Sequence, residues 1–126
     1  ADHGGKMLIW YGLGDACVSV YRTAEYFDSV KSKLGASKVR TFARFVTSPS
    51  VGHNLDGPGA GAIDFVAAMD AWVEQGKAPD NLVASKFTGA STTPDFQRPA
   101  CEYPKFPRWD GVGDPKQATS FVCSAT

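Results

Sequence analysis

The sequence predicts an α/β fold in which two or three parallel strands alternate with two helices, followed by an irregular, proline-rich tail. Three observations predict it. A short, almost wholly apolar run, Met7 to Tyr11, stops at Gly12-Leu13-Gly14, as a strand buried on both faces does. Two later stretches repeat apolar residues at the three-four spacing of one helix face. Thirteen glycines and eight prolines, five of the prolines at or beyond Pro94, require much of the chain to be turn and loop.

The elements follow in order. The first strand spans Lys6 to Tyr11 and is followed by Gly12-Leu13-Gly14-Asp15. A helix from about Val20 to Leu34 carries Val20, Ala24, Phe27, Val30 and Leu34 on one face. Ser19 can cap it, because a serine oxygen accepts from a free backbone N–H of the first turn, and Gly35 can end it in a left-handed conformation. Val39 to Val46 reads as a second strand. Arg40 and Arg44 share a face there with Phe42 and Val46, which suggests an edge position or a partly covered face.

A loop, Thr47 to His53, leads to a second helix from about Ala62 to Gln75. Phe65, Met69 and Trp72 form its stripe, Val66 and Val73 widen it, and Gly76 stops it. Leu82 to Phe87 is a candidate third strand. Residues 88–126 form the irregular tail of what is a single domain or fragment, 1–126. Strand, helix, strand, helix implies parallel strands. Two or three strands make a small sheet for that design, so the chain resembles the edge of a larger one. Trp10, Trp72, Tyr26 and Phe27 are expected in the core, and Lys31, Lys33 and Lys38 on a solvated face.

Composition excludes some functions. Thirteen basic and thirteen acidic residues cancel, which argues against nucleic acid or an anionic membrane as partner. No apolar run reaches the ~18 residues of a membrane span. The opening Ala-Asp-His-Gly-Gly has neither the charged nor the apolar region of a secretory leader. Among the three cysteines, Cys17, Cys101 and Cys123, a Cys101–Cys123 bridge would hold the tail with about 3 kcal/mol of stabilisation and leave Cys17 over. Three reduced, buried thiols are an equal alternative.

Two residues stand where chemistry gathers. Asp15 follows the first strand and His53 the second, and in open α/β sheets catalytic groups collect at the carboxyl ends of strands. A carboxylate there can accept the imidazole Nδ1–H, fix the tautomer and stabilise the imidazolium. Acid before base is also the chain order of α/β-hydrolases, serine first. No serine precedes Asp15, and no Gly-x-Ser-x-Gly elbow occurs; Gly89-Ala90-Ser91-Thr92-Thr93 lacks the second glycine. Singly, Asp15 also fits a turn or cap and His53 an ordinary loop.

No metal or other cofactor is expected. His3, Cys17 and His53 are too scattered along the chain for zinc, whose ligands usually come in close pairs. Asp56-Gly57-Pro58-Gly59-Ala60-Gly61 precedes a helix and could receive an anion. It lacks the Lys-Ser/Thr of a P-loop and reads more simply as a turn.

Several stretches together resemble the tannase and feruloyl esterase family. They are Gly4 to Gly12; Asp15 with Val18-Ser19 and Tyr21 to Phe27; Gly52-His53 with Gly57-Pro58-Gly59; Asp64-Phe65 and Ala71 to Asp80; and Arg98 to Pro104 with Gly113-Asp114 and Phe121-Val122-Cys123. The resemblance covers nearly the whole chain. It implies the C-terminal part of an α/β-hydrolase sheet and a secreted or periplasmic serine esterase acting on small-molecule aromatic esters. It also implies Asp15 as triad acid, His53 as general base and Cys101–Cys123 as a terminal disulfide. The serine would lie on the remaining, upstream part of the hydrolase, which then becomes a partner of this chain.

Two departures accompany it. Asn54 stands where many members have a cysteine after the histidine, and the serine-bearing segment, lid and calcium-binding lid loop have no match in these residues. The alternatives are a non-catalytic remnant binding a small aromatic ligand or a partner chain through an uncovered sheet face, and weak hydrolysis by water that His53 and Asp15 activate directly.

Overall fold

The structure, a computed structural model, describes residues 3–125. Strand β1 (Met7–Gly12) is followed by helix α1 (Val20–Leu34), a short helix α2 (Ala36–Arg40), strand β2 (Ala43–Ser48) and helix α3 (Phe65–Gln75). Strands β3 (Val83–Lys86), β4 (Phe96–Pro99), β5 (Cys101–Glu102), β6 (Phe106–Trp109) and β7 (Phe121–Ser124) complete the order. β1 and β2 pair in parallel, Met7 opposite Ala43 through Gly12 opposite Ser48. β5 adds antiparallel to the far side of β2, so the sheet order is β1-β2-β5.

Alternation along the strands sends side chains to two cores. On one face Tyr11, Phe45 and Ala43 pack with Ala24 and Phe27 of α1 and Val39 of α2. On the other Val46 packs with Ala60, Ala84 and Ala100, flanked by Leu8 and Trp10. Helix α1 starts at Ser19, whose side chain makes no capping bond, and ends at Gly35, where φ is 85° and the N–H donates to the Lys31 carbonyl. Helix α3 starts later than its periodicity suggests. Ala62 is held in a bridge to Ser85, and Asp64 caps the helix by accepting from the Ala67 N–H.

The sequence expectations need several corrections here, and one is that the second strand begins at Ala43 rather than Val39, because residues Ala36–Arg40 close into helix α2. The Leu82–Phe87 segment is not a third parallel strand: β3 pairs antiparallel with β4 in a separate hairpin. The tail is not irregular, because β4 to β7 lie within it and β6 pairs with β7. The register of β6 and β7 sets Cys123 opposite Pro107, and the Cys101–Cys123 disulfide ties β5 to β7. Arg98 is held between the rings of Phe96 and Phe121, 4.7 and 4.0 Å from their centroids, and donates to the Pro115 carbonyl. These contacts order a segment whose prolines suggest only loop.

The second strand is central rather than at an edge, and all six of its residues are buried. Arg44 is tolerated there because its Nε donates to Asp80 at 2.8 Å, its Nη1 to the Ala43 carbonyl, and its guanidinium lies 5.1 Å from the Trp72 ring. Arg40 reaches outward to Glu102 and Asp80. Lastly, Tyr26 is exposed, and so are Val66 and Val73 on the outer side of α3. Val66 is 82% exposed, so only Trp72 of that helix is truly core and the widened stripe faces outward. Among the described residues no helix is long and apolar enough to cross a membrane.

Candidate active site

The site forms where the carboxyl ends of β1 and β2 meet. The strands are neighbours, and the loops leaving them are bonded backbone to backbone. The Leu13 N–H donates to the Ser48 carbonyl and the Gly14 N–H to the Val51 carbonyl, both at 2.9 Å. Gly12 makes the approach possible, since a Cβ there would lie 2.4 Å from the Val51 oxygen. Below them, Trp10 Nε1 donates to Ser48 Oγ at 2.9 Å. The two loops are thereby fixed in relation to each other before any site side chain is considered.

Asp15 ends the first loop. Its Oδ1 accepts from the backbone N–H groups of Cys17 at 2.7 Å and Val18 at 3.2 Å, which orients the carboxylate. Its other oxygen, Oδ2, lies 2.8 Å from His53 Nδ1. The carboxylate is only 10% exposed and the imidazole 51%, so the acid is sheltered beneath a base whose ring reaches solvent. The hydrogen bond to His53 holds the Asp15 carboxyl below the ordinary carboxylate range; partial burial opposes this, and the Cys17 and Val18 N–H groups add to it. Tyr11 lies beneath, its hydroxyl donating to the Val18 carbonyl. Burial, and then the Asp15 charge, push that phenol up.

The histidine loop is folded on itself. The Gly52 N–H donates to the Asp56 carbonyl and the Gly59 N–H to the Ser50 carbonyl, each at 2.9 Å. Lys86 Nζ donates to the Gly57 carbonyl at 2.5 Å. A Cβ at Gly59 would come within 2.1 Å of the Pro49 oxygen, so the glycine run serves close backbone approach. It does not open α3, whose cap is Asp64, and the anion-site expectation for it therefore has no helix end to rest on.

The fold thus brings Asp15 and His53 together across 38 residues. It also brings up a residue that spacing alone set aside. Cys17 is exposed and outside any disulfide, and one ligand-type atom from each of Asp15, Cys17 and His53 lies within 4.8 Å of the others. The scatter of Cys17 and His53 along the chain is therefore no guide to their separation in space. His3 takes no part in this cluster. The roles of Gly12, Ser48 and Val51 were also missed; the only hint of them was the glycine at the end of the first apolar run.

Near the site, a cleft of about 260 Å³ runs beneath the histidine loop, lined by Ser48, Ser50, Gly59, Phe96 and Arg98 among others.

The family model described as tannase and feruloyl esterase matches residues 1–124. A mono(2-hydroxyethyl) terephthalate hydrolase of Piscinibacter sakaiensis is 37% identical over 98% of this chain and 20% of its own length. A probable feruloyl esterase of Arthroderma benhamiae is 36% identical over 96% of this chain and 23% of its own. The crystal structure of an esterase from Aspergillus oryzae superposes with a TM-score of 0.89 at 26% identity, covering 98% of this chain and 28% of that one. The chain therefore spans about a fifth to a quarter of the length of the relatives it matches, and it belongs to the tannase and feruloyl esterase family of carboxylic-ester hydrolases.

Proposed function

We propose that this chain carries the acid and the base of a serine carboxylesterase acting on esters of aromatic acids, with the nucleophilic serine on a segment outside these residues. One observation carries the reading: Asp15 Oδ2 stands 2.8 Å from His53 Nδ1 at the ends of two adjacent parallel strands. The chain order of acid before base, the family membership and the names of the relatives support it.

The chemistry follows from the geometry. Asp15 accepts the Nδ1–H of His53 and so fixes the tautomer whose Nε2 carries the lone pair. Nε2 takes the proton of a serine hydroxyl as Oγ bonds to the ester carbonyl carbon. The imidazolium, stabilised by the Asp15 charge, returns that proton to the leaving alkoxide as the C–O bond breaks. Water then attacks the acyl-enzyme by the same proton route, freeing the aromatic acid and the serine. The disulfide accords with a secreted or periplasmic setting, where such bonds persist.

A chimera tests this. The chain replaces the matching segment of the Piscinibacter sakaiensis hydrolase, and hydrolysis of an aromatic ester is measured. Activity is expected to return and to fall by at least about 10³-fold in both His53→Ala and Asp15→Asn. A folded chimera that is inactive, or one indifferent to His53→Ala, overturns the reading.

A further inference from the structure

We propose that Asp15, Cys17 and His53 form a binding site for a borderline-soft divalent cation such as Zn²⁺, and that an ion held there blocks the general base. The donor set is one thiol, one imidazole and one carboxylate, with one donor atom from each within 4.8 Å of the other two. Sulfur, nitrogen and oxygen in that combination suit zinc and cobalt rather than calcium or magnesium, which take oxygen ligands. Three protein ligands leave a fourth position for water.

The ligands are partly organised already. The Cys17 backbone N–H donates to Asp15 Oδ1 at 2.7 Å, which ties the thiol-bearing residue to the carboxylate. The Val18 N–H donates to the same oxygen, leaving Oδ2 directed at His53 as an outer-shell hydrogen bond directs a metal-ligating carboxylate. Bond lengths of about 2.0–2.3 Å place tetrahedral zinc ligands about 3.3–3.8 Å apart. A separation at the 4.8 Å limit must therefore shrink by about 1 Å, and Oδ2 and Nδ1, 2.8 Å apart, must part slightly. Cys17 and His53 are both exposed, so their side chains can turn to meet the ion.

The balance is simple. The ion takes the place of the proton between Nδ1 and Oδ2; that proton passes through solvent to Nε2, so the imidazole stays neutral, the thiol proton is the one released, and the carboxylate is already ionised. An imidazole bound through Nδ1 carries its single proton on Nε2, and an Nε2–H cannot accept a proton from a hydroxyl. Cation binding stands independently of the esterase reading. Only the consequence for catalysis rests on it.

Co²⁺ titration of the intact, disulfide-bonded chain without oxygen, after thiol titration has shown Cys17 reduced, provides the test. A thiolate-to-cobalt absorption band is expected, with visible absorption of tetrahedral cobalt, both abolished by Zn²⁺. Nitrogen-15 NMR of the zinc form is expected to find His53 metal-bound at Nδ1 and protonated at Nε2. Cys17→Ser, judged folded by its amide spectrum, is expected to lose the band and at least about tenfold in zinc affinity, while His3→Ala retains both. No thiolate band, or equal zinc affinity in folded Cys17→Ser, overturns the site. Zinc bound at Nε2 with Nδ1–H retained overturns ligation through Nδ1, and a zinc form whose Nε2 keeps a free lone pair overturns the block on the base. An inactive chimera together with a positive cobalt titration would sink the esterase reading and leave the cation site standing.

Discussion

Gly12 lies against the carbonyl of Val51 so closely that a Cβ would sit 2.4 Å from its oxygen. This is backbone against backbone, with no flexible side chain to move aside. Gly12 ends the strand that delivers Asp15, and Val51 lies two residues before His53. Gly12→Ala is therefore expected to push the two loops apart, costing about 1–3 kcal/mol and lengthening the Asp15–His53 hydrogen bond. Urea unfolding gives the first quantity. With only two histidines in the chain, nitrogen-15 NMR gives the second: His53 is expected to hold the Nδ1–H tautomer in the wild type and a tautomer mixture in Gly12→Ala.

The depressed pKa of Asp15 predicts a pH dependence with a definite sign. A carboxylate whose folded pKa lies below its unfolded value contributes stability that is fully present above the unfolded value. That contribution is lost as pH falls through the lower, folded one. The hydrogen bond from His53 is the main cause of the lowering. The stability difference between wild type and Asp15→Asn is thus expected to shrink as pH falls from about 5 to below about 4. Chemical denaturation across that range measures it, and a difference that grows on acidification would contradict the assignment.

Legibility in the sequence divides along physical lines. β1, α1 and the Asp15–His53 pair were readable because their signals are local: an apolar run, a three-four repeat, and polar residues at two strand ends. The central place of β2 was not, because Arg44 breaks its pattern and its compensation comes from Asp80 and Trp72, far along the chain. The strands of the tail were hidden by prolines. Pro99 and Pro107 end or interrupt short strands in hairpins, where a missing N–H is tolerated. Cys17 was set aside because its distance from His53 in sequence carries no information about a loop that turns back on itself.

The disulfide makes its own prediction. Cys101 and Cys123 close a loop with a sequence separation of 22. Cys123→Ala is expected to lower stability by about 2–4 kcal/mol. The site does not depend on it: the bridge joins β5 to β7, whereas the Asp15 and His53 loops are bonded to each other at Gly12-Leu13-Gly14, Ser48 and Val51. The His53 tautomer is expected to stay that of the wild type at temperatures where the variant is still folded. Thermal unfolding with NMR at low temperature separates the two effects.

Arg44 supplies the last prediction. Its side chain is 4% exposed while that of Asp80 is 44% exposed, so the pair is half sheltered and half screened. Removing Asp80 alone leaves a buried guanidinium with backbone carbonyls and the Trp72 ring for company. Asp80→Ala is expected to cost about 1–3 kcal/mol, less than for a wholly buried pair because water can reach the gap. Arg44→Met removes the charge but keeps the aliphatic length that packs on Trp72. The double variant Arg44→Met, Asp80→Ala is therefore expected to be more stable than Asp80→Ala alone, although it lacks both charges. Urea midpoints of the four proteins form the cycle. A double variant less stable than Asp80→Ala would mean that Arg44 stabilises β2 chiefly through the carbonyls and the ring, with Asp80 a secondary partner.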